Sequence, residues 1–195
     1  KAITNKTKVI SLAHITNVVG DVRPIEEISK LAHKNNILFV VDAAQSIAHT
    51  KVDVQKMDID FLVFSGHKMY GPTGIGVLYG KYDLLEEMSP INYGGGMNAI
   101  FTKDGYIELR EVPTRFEAGT PNIEGVIGLS SAIDYINNVG IEKIELYEKN
   151  LRKYLIDRLK ELDFVEVYNY NVDSGSIAFN IKNVFAQDTA IYLDK

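Results

Sequence analysis

A lysine stands in the middle of Ser65-Gly66-His67-Lys68-Met69-Tyr70-Gly71-Pro72-Thr73-Gly74-Ile75-Gly76, directly after the apolar run Asp60-Phe61-Leu62-Val63-Phe64. A short continuous run of that kind predicts a buried strand. Lys68 then falls at the end of the strand, wrapped in Ser, His and Gly. Ammonium groups are costly to bury, and they give up their proton more readily as water is withdrawn. The neutral amine is a nucleophile that condenses with an aldehyde to a Schiff base.

A second group belongs with it. Asp42, opening Asp42-Ala43-Ala44-Gln45, closes the earlier run Ile37-Leu38-Phe39-Val40-Val41. A carboxylate at the C-terminal end of a parallel strand lies where ligands bind in open α/β sheets. An acid ending one strand and a lysine ending another meet the needs of pyridoxal phosphate: the acid keeps the ring nitrogen protonated, and the ring takes up carbanion electrons. Gln45 can donate to the ring phenolate oxygen. Ser65 and His67, with backbone N–H groups, can hold the phosphate. Asn17, which with His14 ends the first strand, can bind a substrate carboxylate or the ring oxygen. Thr120, before Pro121, can cap a helix with proline in its first turn and hold phosphate there.

Each residue also has a structural reading. Asp42 fits a cap or turn, His67 and His14 fit satisfied histidines, and Lys68 fits a lysine with its head in water. Arg115 and Glu117 fit an ion pair. The glycines at 71, 74 and 76 are not followed by Gly-Lys-Ser/Thr, so they make no P-loop. Ser65, His67 and Asp42 lack a G-x-S-x-G elbow, which argues against a hydrolase triad. The four histidines lack zinc-ligand spacing.

The elements that must position these groups are legible. Val9–Ala13 predicts a strand, and Pro24 opens a helical pattern through Ile25, Ile28, Leu31 and Ala32. Ile37–Val41 reads as a strand covered on both faces, followed by strands Phe61–Phe64 and Gly76–Tyr79 and a short helix Tyr82–Met88. That alternation predicts an α/β fold with a mostly parallel sheet. Asp104-Gly105 predicts a hairpin. Helices are predicted from Pro121 to near Gly140 and from Ile141 to Leu162, the second with apolar Ile144, Leu151, Leu155, Ile156, Leu159 and Leu162. Val165–Tyr168 and Ser176–Ile181 alternate with period two, as half-buried strands do. The change of pattern places a boundary near Gly140: residues 1–139 would be part of a large cofactor-binding domain, and residues 140–195 the start of a small α+β domain.

Composition narrows the setting. The net charge is −5 and the pI about 5.4, so nothing recommends a nucleic-acid or membrane-surface partner. No apolar run approaches a membrane span, and the first residues lack the apolar stretch of a signal peptide. The chain contains no cysteine, which fits a cytoplasmic setting. It begins without Met and stops in a helical pattern at Ile191–Lys195, as expected of a piece of a longer protein.

Val41-Asp42-Ala43-Ala44-Gln45-Ser46, Phe64 to Gly76 and Arg115-Phe116-Glu117-Ala118-Gly119-Thr120-Pro121-Asn122 together resemble the cysteine desulfurases, fold-type-I pyridoxal phosphate enzymes of the class V aminotransferase group. The Ser-Gly-His-Lys and Phe-Glu-Ala-Gly-Thr-Pro-Asn forms resemble the SUF-type branch. The resemblance implies a three-layer, mostly parallel large domain followed by part of the small one. It implies that Lys68 carries the cofactor and moves protons, that Asp42 meets the pyridine nitrogen and Gln45 the phenolate oxygen, and that Ser65 and His67 hold the phosphate. Thr120 would reach the phosphate of the neighbouring subunit of a homodimer, and Asn17 would help place the substrate. The implied reaction converts L-cysteine to alanine, passing sulfur as an enzyme persulfide to a SUF acceptor protein for iron–sulfur cluster assembly. The family's nucleophilic cysteine and substrate-binding arginine would lie beyond Lys195, and a ring-stacking histidine and phosphate-binding threonine before Lys1. The chain alone is therefore not expected to complete desulfuration. Selenocysteine lyase, another class V lyase and a non-catalytic scaffold are the rival readings.

Overall fold

The structure, a computed structural model, describes residues 2–172 and 174–195. A four-stranded sheet is built from β1 (Val9–Ala13), β2 (Leu38–Asp42), β3 (Phe61–Ser65) and β4 (Gly76–Gly80), in that spatial order. β1, β2 and β3 run parallel, and β4 returns antiparallel to β3. The fold is thus α/β with a mostly parallel sheet, as the alternation of elements predicts. Parallel neighbours need long crossovers. Helix α1 (Ile25–Lys34) supplies the first, and the turns between Ala43 and Asp60 supply the second. Within this sheet β3 to β4 is a direct antiparallel return, and that return carries Lys68.

The core explains why the strands sit as they do. Phe39, Val41 and Ile59 are fully buried, packed with Ile25 and Ala32 of α1 and with Leu62 of β3. Ile25, Ser29 and Ala32 recur at helical spacing, so α1 buries one stripe, while Leu31 stays about half exposed. β2 departs from the expected two-sided burial. Phe39 and Val41 face the α1 side, whereas Leu38 keeps 38% of its surface. Truncating Phe39 to Ala would remove about 3–5 kcal/mol, the usual cost for a buried phenylalanine.

Beyond the sheet, β5 (Asn98–Phe101) and β6 (Ile107–Leu109) form the hairpin predicted at Asp104-Gly105, with Gly105 at φ 87°. A short helix, α2 (Tyr82–Glu87), follows β4. Helices α3 (Ile123–Val139) and α4 (Ile141–Lys160) pack together, and a hairpin of β7 (Val165–Tyr168) and β8 (Ala178–Ile181) packs on α4 and on α5 (Ala186–Leu193). The β7–β8 hairpin forms its own two-stranded sheet. Of the apolar positions of α4, Ile156 is buried, together with Arg152, while Leu151 and Leu155 are 50% and 43% exposed.

At the amino-terminal edge of the sheet a charged cluster ties the elements together. The Asp60 side chain keeps only 5% of its surface, accepts from the Phe39 N–H at 2.8 Å, and meets Lys81 Nζ at 2.7 Å and His33 Nε2 at 3.0 Å. Lys81 also meets Asp58 at 2.6 Å, and His33 Nδ1 meets the other Asp58 oxygen at 2.9 Å. Burial alone would raise the Asp60 carboxyl pKa, but hydrogen bonds from Lys81, His33 and Phe39 outweigh it and hold the group below the ordinary value. Lys81 is pulled down by burial and raised more by its two carboxylate partners, ending above the ordinary lysine value.

A depressed carboxyl contributes stability that is complete above its unfolded value, near pH 4, and is lost as pH falls through the folded value. Asp60→Asn is therefore expected to lose about 1–3 kcal/mol at pH 7, the scale for hydrogen bonds to a charged group, since Lys81 is partly exposed and keeps Asp58 as a partner. It is also expected to show a flatter decline of stability between about pH 5 and pH 2. Urea unfolding at a series of pH values measures both effects.

Candidate active site

Because β1, β2 and β3 are parallel, their carboxyl ends share one edge of the sheet. Asp42 closes β2 in register with Ala13 of β1 and Val63 of β3. The ladder runs one step past the strand ends, since His14 N donates to Asp42 O and Ala43 N to Val63 O, each at 2.8 Å. β3 ends at Ser65, and the chain enters a tight 3-10 turn, Gly66–Met69, that carries Lys68. Asp42 and the Lys68 turn therefore leave neighbouring strands at the same edge. One carboxylate oxygen of Asp42 accepts from Ala44 N at 2.9 Å, so the turn-forming role is real, and the residue remains exposed. Lys68 is half-buried, less enclosed than the apolar run before it suggested.

Local packing fixes the Lys68 turn. Gly66 N donates to Ile75 O at 2.9 Å, and Gly71 N to Gly66 O at 3.0 Å, closing the loop on itself. Tyr70 takes a left-handed conformation at φ 63° to end the turn, and its ring meets Tyr135 of α3 edge-on at 5.7 Å. Helix α3 presses on this loop where side chains are small. A Cβ on Gly71 would stand 2.8 Å from the Gly66 carbonyl oxygen, and one on Gly128 2.9 Å from the Pro72 ring. Met69 and Leu129 are buried together at this contact. On the open side, Ser65 Oγ and His67 Nδ1 lie 2.8 Å apart and, with Thr73, Gly74 and Gly76, line a depression of about 570 Å³.

The remaining predicted groups divide. Asn17 lies beyond the end of β1, in a turn, and its Oδ1 accepts from Gln45 Nε2. His14 is buried, with Nδ1 unpartnered among the described residues, and burial pushes its imidazole below the ordinary value. Thr120 is exposed and is not the cap of α3. That position belongs to Asn122, whose side chain accepts from Gly125 N at 3.0 Å and donates to Gly74 O at 3.1 Å. Asparagine caps at least as well as threonine, and here it also ties the helix to the Lys68 loop. Pro121 accordingly precedes the helix. The Arg115 guanidinium donates to the carbonyls of Arg110 and Glu86, in place of the pair expected with Glu117.

Sequence reasoning missed the polar contacts between the sheet edge and the C-terminal segment. His49 Nδ1 meets both Glu148 oxygens, at 2.8 and 3.0 Å. Arg152 is buried and donates to the backbone carbonyls of Asn169, Val172 and Ser176. His49, Glu148, Arg152 and Ser176, with Gln45 and Ile15, line a cavity of about 300 Å³. One signal was available: 148, 152 and 156 recur every four residues, which puts them on one face of α4.

The whole chain, residues 1–195, matches the family described as Aminotransferase class-V. It is 45% identical over 195 residues to a probable cysteine desulfurase of Halalkalibacterium halodurans, covering 100% of this chain and 48% of that protein. It is 45% identical over 194 residues to a cysteine desulfurase of Wigglesworthia glossinidia brevipalpis, covering 99% and 47%. Its structure superposes on the cysteine desulfurase CsdA of Escherichia coli with a TM-score of 0.93 at 38% identity, covering 98% of this chain and 48% of that one. For an apo cysteine desulfurase of Thermococcus onnurineus NA1 the TM-score is 0.91 at 42% identity, covering 96% and 47%. The chain belongs to the class V aminotransferase family and has the fold-type-I architecture of these enzymes. It spans about half the length of the curated relatives it matches.

The close approach at Gly71 makes the Lys68 turn sensitive to a single methyl group. Gly71→Ala is expected to destabilise by about 1–3 kcal/mol, the range for forced overpacking. That corresponds to a fall of several degrees in the melting temperature. Differential scanning calorimetry of the two proteins checks it.

Proposed function

We propose that this chain is the cofactor-binding part of a cysteine desulfurase. The observation that carries the reading is the shared sheet edge: a carboxylate at the tip of β2 and an amine in the turn after β3, beside a hydroxyl–imidazole pair at an open depression. These groups fit pyridoxal phosphate. Asp42 offers an exposed carboxylate for a pyridinium nitrogen, Lys68 an amine for an aldehyde, and Ser65 and His67 donors for a phosphate. Gln45 and Asn17 form one hydrogen-bonded unit that would face the phenolate oxygen and the substrate. Thr120 would serve the phosphate of a second subunit.

When bound, the cofactor supplies an electron sink for the substrate's α-carbon. The protein's part is positioning and proton transfer. Lys68 Nζ would take the α-proton of L-cysteine and later return it to the α-carbon, acting as a general base and then a general acid. When the Cβ–S bond breaks to the attacking thiol, the proton that thiol gives up ends on the β-carbon of alanine. Asp42 holds positive charge at the ring nitrogen by proximity. The persulfide-forming thiol must come from outside these residues, because the sequence contains no cysteine.

The Ser65–Lys68 and Phe116–Asn122 segments support the SUF-type branch, with a sulfur-acceptor protein as partner and iron–sulfur cluster assembly as destination. A homodimer is supported by the exposed apolar row on α3, where Ile123, Val126 and Ile127 are 58%, 53% and 63% exposed. Residues 1–139 are assigned to the large domain and 140–195 to the small one, in keeping with the separate β7–β8 sheet. A cytoplasmic setting belongs to the same reading. Among the described residues no helix is long and apolar enough to cross a membrane.

Borohydride reduction of the complete protein with pyridoxal phosphate, followed by peptide mapping, is expected to place the pyridoxyl group on Lys68. Lys68→Ala is expected to abolish that adduct and to lower alanine release by at least about 100-fold, the scale of a lost general acid–base. An adduct on another lysine would contradict the assignment. Turnover confined to L-selenocysteine would move the substrate from cysteine to its selenium analogue.

A further inference from the structure

Asn17, which the proposed function places beside the substrate, is carried by the turn Thr16–Asp21. That turn is closed by its own hydrogen bonds: Thr16 N to Asp21 O at 3.0 Å, Gly20 N to Thr16 O at 3.2 Å and Asp21 N to Thr16 Oγ1 at 2.8 Å. The turn is joined to the sheet edge by the Ile15–Val22 bridge and by Arg23, whose N donates to His14 O and whose Nη1 donates to Ala13 O, each at 2.9 Å. A second attachment comes from the C-terminal segment. Asn169 Nδ2 donates to Asp21 Oδ1 at 2.9 Å and to Val19 O at 3.3 Å, contacts that bridge about 150 positions of sequence. The backbone at Gly20 lies against Ser174, so closely that a Cβ on Gly20 would collide with the Ser174 hydroxyl.

Asn169 and Ser174 belong to the loop between β7 and β8, and Arg152 holds the backbone of that loop at three carbonyls. Arg152 of α4 keeps 5% of its surface. Its Nε donates to Val172 O at 2.8 Å, Nη2 to Asn169 O at 2.6 Å and Nη1 to Ser176 O. Three carbonyls spread over eight residues need donors that diverge in a fixed plane. A guanidinium provides them, whereas a lysine ammonium is a single point of charge. On the far side of the turn, Asn17 Oδ1 accepts from Gln45 Nε2.

We infer that Arg152 and Asn169 are positioning residues for substrate binding: Arg152 holds the backbone at Asn169, Val172 and Ser176, and through Asn169 that segment steadies the turn that presents Asn17. The inference rests on the proposed role of Asn17. It gives the C-terminal segment a part in substrate affinity without contact with the substrate.

The test uses the complete protein loaded with pyridoxal phosphate and the variants Asn169→Ala, Arg152→Lys, Asn17→Ala and the double variant Asn17→Ala/Asn169→Ala. Asn169→Ala removes the side-chain bonds to the turn and leaves the backbone carbonyl that Arg152 holds, so it separates positioning from folding. The readouts are KM and kcat for L-cysteine, the L-cysteine dissociation constant from the change in visible absorption of the bound cofactor, and Tm. Asn169→Ala is expected to raise KM and the dissociation constant together by about 5- to 10-fold with kcat within about twofold, the pattern of lost uniform binding. Arg152→Lys is expected to move both constants the same way. In the Asn17→Ala background, Asn169→Ala is expected to add nothing, because coupled residues are not additive. A lowered Tm with both constants unchanged, or effects of Asn17 and Asn169 that simply multiply, would overturn the inference alone. An Asn17→Ala protein with wild-type constants would overturn the underlying reading of Asn17, and the inference with it.

Discussion

The arrangement of chemical groups in this chain depends on the parallel register of three strands. Val41 pairs with Leu12 on one side and with Leu62 on the other, so β1, β2 and β3 all deliver their chains to one edge. The two hydrogen bonds beyond the strand ends, at Asp42 O and Val63 O, hold that edge in line. If β2 slipped by one residue, Phe39 and Val41 would leave the core, because side chains alternate in a strand. Burying those two side chains therefore also fixes where Asp42 emerges. Core packing and site geometry are a single constraint here.

The two edges of the sheet are built differently. The amino-terminal edge is closed by Asp60, Lys81, His33 and Asp58, which satisfy one another and the Phe39 N–H. Asp60 is the buried member of this cluster, and separating it from Lys81, His33 and the Phe39 N–H would leave its charge unpaired in a poorly hydrated place, which resists slippage. At the carboxyl edge the polar groups stand more open. Asp42 and His67 are exposed, Lys68 is half-buried, and the Ser65–His67 pair borders an open depression. Ligands in open α/β folds take the carboxyl edge, and the charge distribution follows that division.

Much of this was legible in the sequence where one local pattern decides the outcome. The run Phe61 to Phe64 gave β3, and Asp104-Gly105 gave the hairpin, because apolar continuity and turn chemistry act over a few residues. Asp42, Ser65, His67 and Lys68 were legible as a group because each follows directly from a strand end. The cap of α3 was misplaced by two positions. Thr120-Pro121 looks like a helix start, but the deciding contact is Asn122 with Gly74, 48 positions away. Arg152 was missed for a related reason, since the four-residue spacing of 148, 152 and 156 marks a face of α4 but not what that face meets. An arginine in a helix reads as a surface residue until three carbonyls from a later loop close around it. The half-exposure of Leu151 and Leu155 on α4 likewise depends on which stripe of the helix meets the sheet, which helical periodicity alone does not fix.

The central claim is that the Asp42 carboxylate and the Lys68 amine serve opposite ends of one pyridine ring. The most direct measurement is the nitrogen NMR shift of pyridoxal phosphate labelled at its ring nitrogen and bound to the complete protein. A nitrogen protonated at neutral pH, and neutral in the Asp42→Ala protein, is the expected result. A bound ring whose nitrogen is unprotonated, or stays protonated without Asp42, would contradict the account.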